Sequence, residues 1–392
     1  MPLAAEAGFA LLYAVTSVPS VDGVPAGRPE ARALPTEASS AYLDAVDRIT
    51  SRLLGEAYRR LHRIVRHPVA RVHLDAGGET PLDADVYLAV HSSGVAVWEV
   101  WIPVGRQPFN AERWKGWLDF DTAGSVAARL WSILAGTADD PQDEPARPEF
   151  YLPFSVVRVP DHELEDVVER HGPEIVQLLQ LGPSRQPLKA TYVAEVLDGD
   201  FCLHQGGISL LGRRGAVDVH APADLPGALP PLDAVPFLIT LEMLVLERAV
   251  LRALQHRLTE ALSEGIEDLV MLKQQALDAL EEYYGTLTVT NAFSAKATRQ
   301  GQELLGVDDL YDSVVDRMEI VTFAITTNYQ RNSNLLTFWL TIVFGAVETG
   351  SLAAVVATWY YHEHLLMVLA WTLGMTMLTA FVIIMLLRSK AR

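Results

Sequence analysis

The last 63 residues constrain this chain most. From Leu335 to Trp359 runs a stretch of 25 residues whose only ionisable side chain is Glu348, and a second apolar run covers Leu365 to Leu387. Tyr360-Tyr361-His362-Glu363-His364 separates them. At ~1.5 Å per residue, each run is long enough as a helix to cross the ~30 Å of hydrocarbon in a bilayer. Trp339, Trp359, Tyr360 and Tyr361 fall where an aromatic belt belongs. Arg331 precedes the first run, Arg388, Lys390 and Arg392 follow the second, and the connection holds no Lys or Arg. The bias of positive charge predicts a multi-pass hairpin in a plasma or inner membrane, with both termini cytoplasmic.

One stripe of the first run is polar. Gln330, Asn334, Thr337, Thr341, Phe344, Glu348, Ser351 and Val355 follow one another at alternating spacings of 4 and 3, the period of a helix seam. Six of these eight are polar in a helix otherwise built of Leu, Ile, Val, Phe and Trp. Unpaired polar groups are unfavourable in hydrocarbon, so the stripe must face protein or water. Two readings follow: a tight seam joined by Thr and Ser, or a pore lined by several copies of the helix. A carboxylate at mid-span favours the pore.

Ahead of the hairpin the chain is acidic. Its net charge is −18, and since four basic and two acidic residues lie from Gln330 onward, residues 1–329 carry −20. Such a domain repels nucleic acid and anionic lipid and attracts cations. The single cysteine, Cys202, excludes an intrachain disulfide or a multi-cysteine zinc site. Met1-Pro2-Leu3-Ala4-Ala5-Glu6 does not read as a signal peptide.

Alternating apolar residues and turn residues predict strands over Phe9–Val15, Ala70–Asp75, Asp85–His91, Val95–Pro103, Tyr151–Val159, Thr191–Leu197, Phe201–Leu203, Ile208–Leu211 and Ala216–Val219. Helices are predicted from Thr36 to about Val65, from Ala123 to Leu134, and from Asp161 towards Leu181 with a break at Gly172-Pro173. Strands follow strands more often than helices do, so the expected class is α+β with a largely antiparallel sheet. Trp98 and Trp101 alternate with Glu99 and Ile102 as core positions of a strand. Pro222 to Pro236, with five prolines in 15 residues, reads as a linker. After it come long helices over Phe237–Tyr284 and Asn291–Leu305, and no proline follows Gly306. One helix can therefore run from Asp308 to Trp359, about 78 Å long, and serve as a stalk continuous with the first span. The expected divisions are 1–235 for the α+β domain, 236–334 for the long helices and stalk, and 335–392 for the hairpin.

This layout resembles the CorA-like two-span metal-ion transporter superfamily. The local match is Asn328-Tyr329-Gln330-Arg331-Asn332-Ser333-Asn334-Leu335-Leu336-Thr337, similar to that family's Asn-Arg…Leu-Thr entry into the first span. The resemblance covers about Phe237–Arg392. It implies a homopentamer in which the first span lines a cation path. The family's Gly-Met-Asn at the outer end of that span is absent: Val356-Ala357-Thr358-Trp359-Tyr360-Tyr361 stands there, and Gly374-Met375-Thr376 lies in the second span. Selection of hydrated Mg²⁺ therefore does not carry over.

Two other clusters bear on cations. Asp308, Asp309, Asp312 and Asp316 recur at helical spacing at the head of the stalk. They form a solvated acidic face or, as the resemblance implies, a regulatory site for Mg²⁺ or another divalent ion between subunits. His362, Glu363 and His364 would form a ring in an oligomer or merely cap the hairpin. The chain carries no Gly-rich phosphate loop, no Gly-x-Ser-x-Gly and no His-Glu-x-x-His, and it is not expected to be an enzyme. The expected function is a homo-oligomeric channel or transporter for cations in a lipid bilayer. The alternative is a membrane-anchored effector on the same frame, whose cytoplasmic domain binds a ligand or protein.

Overall fold

The structure is a computed structural model. It describes residues 4–16, 31–61, 64–74, 81–91, 94–135, 147–159, 164–181, 187–202, 206–221, 234–261, 270–271, 273–274, 276–277, 292–360 and 365–390. The chain divides into two compact units, Met1–Met318 and Glu319–Arg392.

The first unit is organised around strand β1 (Ala4–Val15). The other strands are β2 (Ala31–Arg32), β3 (Ile64–Leu74), β4 (Leu82–His91), β5 (Ala96–Pro108), β6 (Phe150–Arg158), β7 (Gly207–Leu211) and β8 (Ala216–His220). They form an eight-stranded sheet in the order β2-β3-β4-β5-β1-β6-β8-β7. All pairs are antiparallel except β6 with β8. The expected α+β class with a largely antiparallel sheet is what the chain forms.

Every residue of β1 from Phe9 to Ala14 is at most 1% exposed, because helices cover both faces. On one face lie α2 (Ala111–Leu118), α3 (Val126–Leu134) and α4 (Leu164–Gln180). There the Phe9 ring meets Trp114 edge-on at 5.5 Å, Tyr13 stacks on Trp131 at 5.5 Å, and the Tyr13 hydroxyl donates to the Ala127 carbonyl at 2.9 Å. On the other face lie α1 (Thr36–Leu61) and α6 (Val235–Ala261), with Phe237 against Phe154 at 5.0 Å. Burial on two faces explains why β1 shows no polar alternation.

Several local readings need correction. Thr191–Leu197 is part of a helix, α5 (Ala190–Asp198). The turn residues after it suggested a strand, but Val193 and Leu197, four apart, approach Gly172 of α4, and that packing outweighs local preference. Helix α1 ends at Leu61, and Ile64 and Val65 already belong to β3. Helix α2 was not foreseen; Asn110 starts it by accepting the Arg113 amide at 3.0 Å. Helix α4 runs unbroken through Pro173. Trp98 and Trp101 are core, as expected.

Helices α7 (Ala292–Leu304) and α8 (Val307–Tyr360) meet at Gly306, whose φ of +66° makes the turn between them. Helix α8 is continuous over 54 residues, about 81 Å at the usual rise, as the absence of proline led one to expect. Within the first unit its opening turns are tied to α6: Gln255 donates to the Ser313 hydroxyl at 2.7 Å, and Arg317 donates to Thr259. Helix α9 (Leu365–Lys390) completes the chain. Helices α8 and α9 are both long and apolar enough to cross a membrane.

Candidate functional site

In the second unit, α8 and α9 pack through small residues. Ile342, Ala346, Gly350 and Ala357 are the buried positions of α8 in this stretch. A Cβ added at Gly345 would come within 2.9 Å of Ile383, and one at Gly350 would collide with the Thr376 hydroxyl. Close approach of two helix backbones needs such residues.

The polar stripe lies elsewhere on α8. At ~3.6 residues per turn it is centred roughly 150° around the helix from the small-residue face. Gln330, Asn334, Thr337, Thr341, Phe344, Glu348, Ser351 and Val355 are accordingly all exposed. The second span does not cover them.

The hydroxyls on this stripe turn out to be self-sufficient. Thr337 donates to the Ser333 carbonyl at 2.9 Å, Thr341 to the Thr337 carbonyl at 2.8 Å, and Ser351 to the Glu348 carbonyl at 2.8 Å. Bonded to their own helix, they no longer demand water or protein. That narrows the sequence argument to Gln330, Asn334 and Glu348, which make no side-chain hydrogen bond to any described residue. Of these, only Glu348 lies within the apolar run.

The acidic cluster sits at the start of α8. Asp308, Asp309, Asp312 and Asp316 are all exposed. Partial burial, then Asp312, Asp309 and Glu303, raise the Asp308 carboxyl above its usual range. Among the described residues, no three His, Cys, Asp or Glu side chains gather into a metal-holding group within one chain. A site shared between copies would draw on residues of several chains. His362, Glu363 and His364 lie outside the described residues.

Sequence reasoning missed a buried charge network between the sheet and α6. Glu99 of β5 is 1% exposed and accepts from the Tyr42 hydroxyl of α1 and, at 2.7 Å, from Trp101 Nε1. Arg66 of β3 pairs with Glu242 of α6, and both are fully enclosed. Arg66 Nε and Glu242 Oε1 have no hydrogen-bond partner among the described residues. Two carboxylates thus share one guanidinium. Burial, then Glu242, push the Glu99 carboxyl up to about 7, against the pull of Arg66, Tyr42 and Trp101. Burial works against the Arg66 guanidinium, yet Glu242 and Glu99 hold it above the ordinary arginine range. On α6, burial also pushes Glu247 up to about 7, opposed by two contacts from Gln302 Nε2 at 3.1 and 3.2 Å and assisted by Asp308. The signal was present: Glu99 interrupts Trp98–Ile102, and Glu242 and Glu247 interrupt Phe237–Val250, where the surrounding residues are almost all apolar.

No family model, curated protein or solved structure matches the chain.

Proposed function

We propose that the protein is a homo-oligomeric membrane channel or transporter for cations, assembled as a CorA-like pentamer with α8 lining the path. Both termini lie in the cytoplasm, on the arginine and lysine positions flanking the spans, in a plasma or inner membrane. One observation carries this reading: Glu348 stands mid-span on the face of α8 turned away from α9, without a hydrogen-bond partner among the described residues. A lone carboxylate there needs water, a cation or a donor, and copies of α8 around an axis supply the first two. The apolar residues exposed on both spans are suited to lipid and to neighbouring copies. The acidic cluster Asp308, Asp309, Asp312 and Asp316 would then hold Mg²⁺ or another divalent ion between subunits, as regulator and not as resident cofactor.

The test is cation flux into proteoliposomes. Wild type conducts, Glu348→Gln reduces flux with the oligomer intact, and Glu348→Lys blocks it more severely. Conduction that both substitutions leave unchanged sinks the assignment of Glu348 to the path. A wild type that conducts nothing under any cation gradient supports a membrane-anchored effector instead. A native mass of one or two copies in mild detergent excludes the pore altogether.

A further inference from the structure

At one end of the sheet, four separated stretches of chain line an open cleft of about 250 Å³. Its aromatic side is packed: Phe120 and Tyr151 lie 5.4 Å apart, Tyr151 rests on Tyr13 at 5.0 Å, and its hydroxyl donates to the Leu118 carbonyl at 2.8 Å. Three arginines line the remainder, Arg147 before β6 and Arg213 and Arg214 in the β7–β8 turn. That turn is pinned against the end of α4. A Cβ on Gly215 would lie 3.0 Å from the Leu178 carbonyl oxygen, and one on Gly212 would lie 3.0 Å from Leu179. Leu181, also in the wall, has a φ of +47°, the one non-glycine positive φ among the described residues. Strained backbone of this kind gathers at ligand sites.

The charges are arranged as a clamp that already holds a carboxylate. Asp121 Oδ1 lies 3.4 Å from Arg147, and Asp121 Oδ2 accepts from Arg214 at 2.5 Å. The other acids of the wall are engaged outside this clamp. Asp119 accepts from the Thr122 hydroxyl at 2.9 Å, and Glu149 lies 3.6 Å from Arg252. Arg213 makes no ion pair with any described residue. In a chain of net charge −18, three arginines converging on a cleft run against the prevailing field.

We infer that this cleft binds a small free oxyanion, up to a diphosphate in size, and that the Asp121 carboxylate is its built-in competitor. Guanidinium forks that fit a carboxylate fit a phosphate equally well. The Asp121 side chain is half exposed and Arg147 more so, and exposed ion pairs hold weakly, so an incoming dianion can displace Asp121. The cavity is smaller than the roughly 300–1,000 Å³ typical of drug-sized ligands, which sets the upper size. This site stands apart from the pore reading, and its test involves no flux.

Pyrophosphate is titrated against the full chain in mild detergent, with EDTA present and ionic strength held constant by sodium chloride. Thermal stability and heat of binding are followed. Wild type shows saturable stabilisation, as a ligand of the native state must give. Asp121→Asn removes the competitor and lowers the half-saturating concentration about three- to tenfold. Joint replacement Arg213→Ala and Arg214→Ala abolishes saturation while leaving the anion-free melting temperature in place. Should that pair unsettle the fold, the Asp121→Asn arm decides alone. A flat response in Asp121→Asn, or saturation unchanged by loss of both arginines, overturns the inference. So does a wild type that pyrophosphate leaves unchanged but that phosphatidic acid, titrated in the same detergent, stabilises, which would make the ligand a lipid headgroup.

Discussion

Arg66 and Glu242 form an ion pair that water does not reach, with side-chain exposures of 5% and 1%. The pair joins an outer strand of the sheet to α6, and Glu99 shares its guanidinium electrostatically. A buried pair of this kind stabilises little in net terms, but breaking it is severe because a charge is left without a partner. Arg66→Met should therefore destabilise the first unit by about 3–5 kcal/mol at pH 8. Glu242→Gln in the same chain should recover part of that loss. Chemical denaturation of the two single variants and the double variant reads the coupling. Strictly additive effects would show that the two groups do not act as a pair.

The Glu99 carboxyl, up to about 7 in the folded chain against an ordinary 4.5, fixes a direction of pH dependence. Between those values the folded chain binds the proton and the unfolded chain does not, so stability falls as pH rises through this window and levels above it. The slope for one such group is about 1.4 kcal/mol per pH unit at most. Glu99→Gln should flatten the decline between pH 5 and pH 7, and Glu247→Gln should flatten the remainder, since Glu247 is displaced in the same direction. Denaturant midpoints measured across pH check it. Slopes equal to wild type in both variants would contradict the reading.

The contact of Gly350 with Thr376 should prove less forgiving than that of Gly345 with Ile383. Both glycines would gain one methyl group on replacement by alanine. At Gly345 the new Cβ meets the terminal Cδ1 of Ile383, at 2.9 Å, which can rotate away. At Gly350 it meets the Thr376 hydroxyl, which is held to the Thr372 carbonyl at 2.7 Å. Gly350→Ala should destabilise the hairpin by about 1–3 kcal/mol and Gly345→Ala by less. Thr376→Ala combined with Gly350→Ala should restore most of the loss. Thermal unfolding in detergent ranks the three, and equal losses at the two glycines would refute the contrast.

Millimolar Mg²⁺ or Ca²⁺ should raise the melting temperature if Asp308, Asp312 and Asp316 hold a divalent ion between copies. Asparagine at all three positions should remove that increment. An increment that survives the triple substitution assigns these acids to a solvated face.

The hairpin and the long helix were legible because their signals are local. Twenty-five residues with one charge admit few alternatives, and a stretch without proline can stay helical. The sheet was legible as a class from its turns and alternation. The buried network was not, because Arg66 and Glu242 stand 176 positions apart and only the folded sheet brings them together. The polar stripe falls on an exposed part of α8, but its chemistry was read too strongly, since Thr337, Thr341 and Ser351 satisfy themselves on their own helix. Helix α5 was misread because the turn residues that follow it were weighed above the four-residue spacing of Val193 and Leu197.

Strand β1 lies at the centre of the sheet, and that position sets a timetable for synthesis. Its partner on one side is β5, and on the other β6, where Glu6 pairs with Arg158. At ~5–20 residues per second, roughly 7–30 seconds separate the emergence of β1 from that of its last partner on β6. Throughout that interval a strand apolar on both faces has an open edge, the condition under which nascent chains stick to one another. Non-local pairing of this sort also folds slowly. The ribosome-bound chain should therefore engage chaperones before its apolar helices are made, and the demand should end once Phe150–Arg158 has docked.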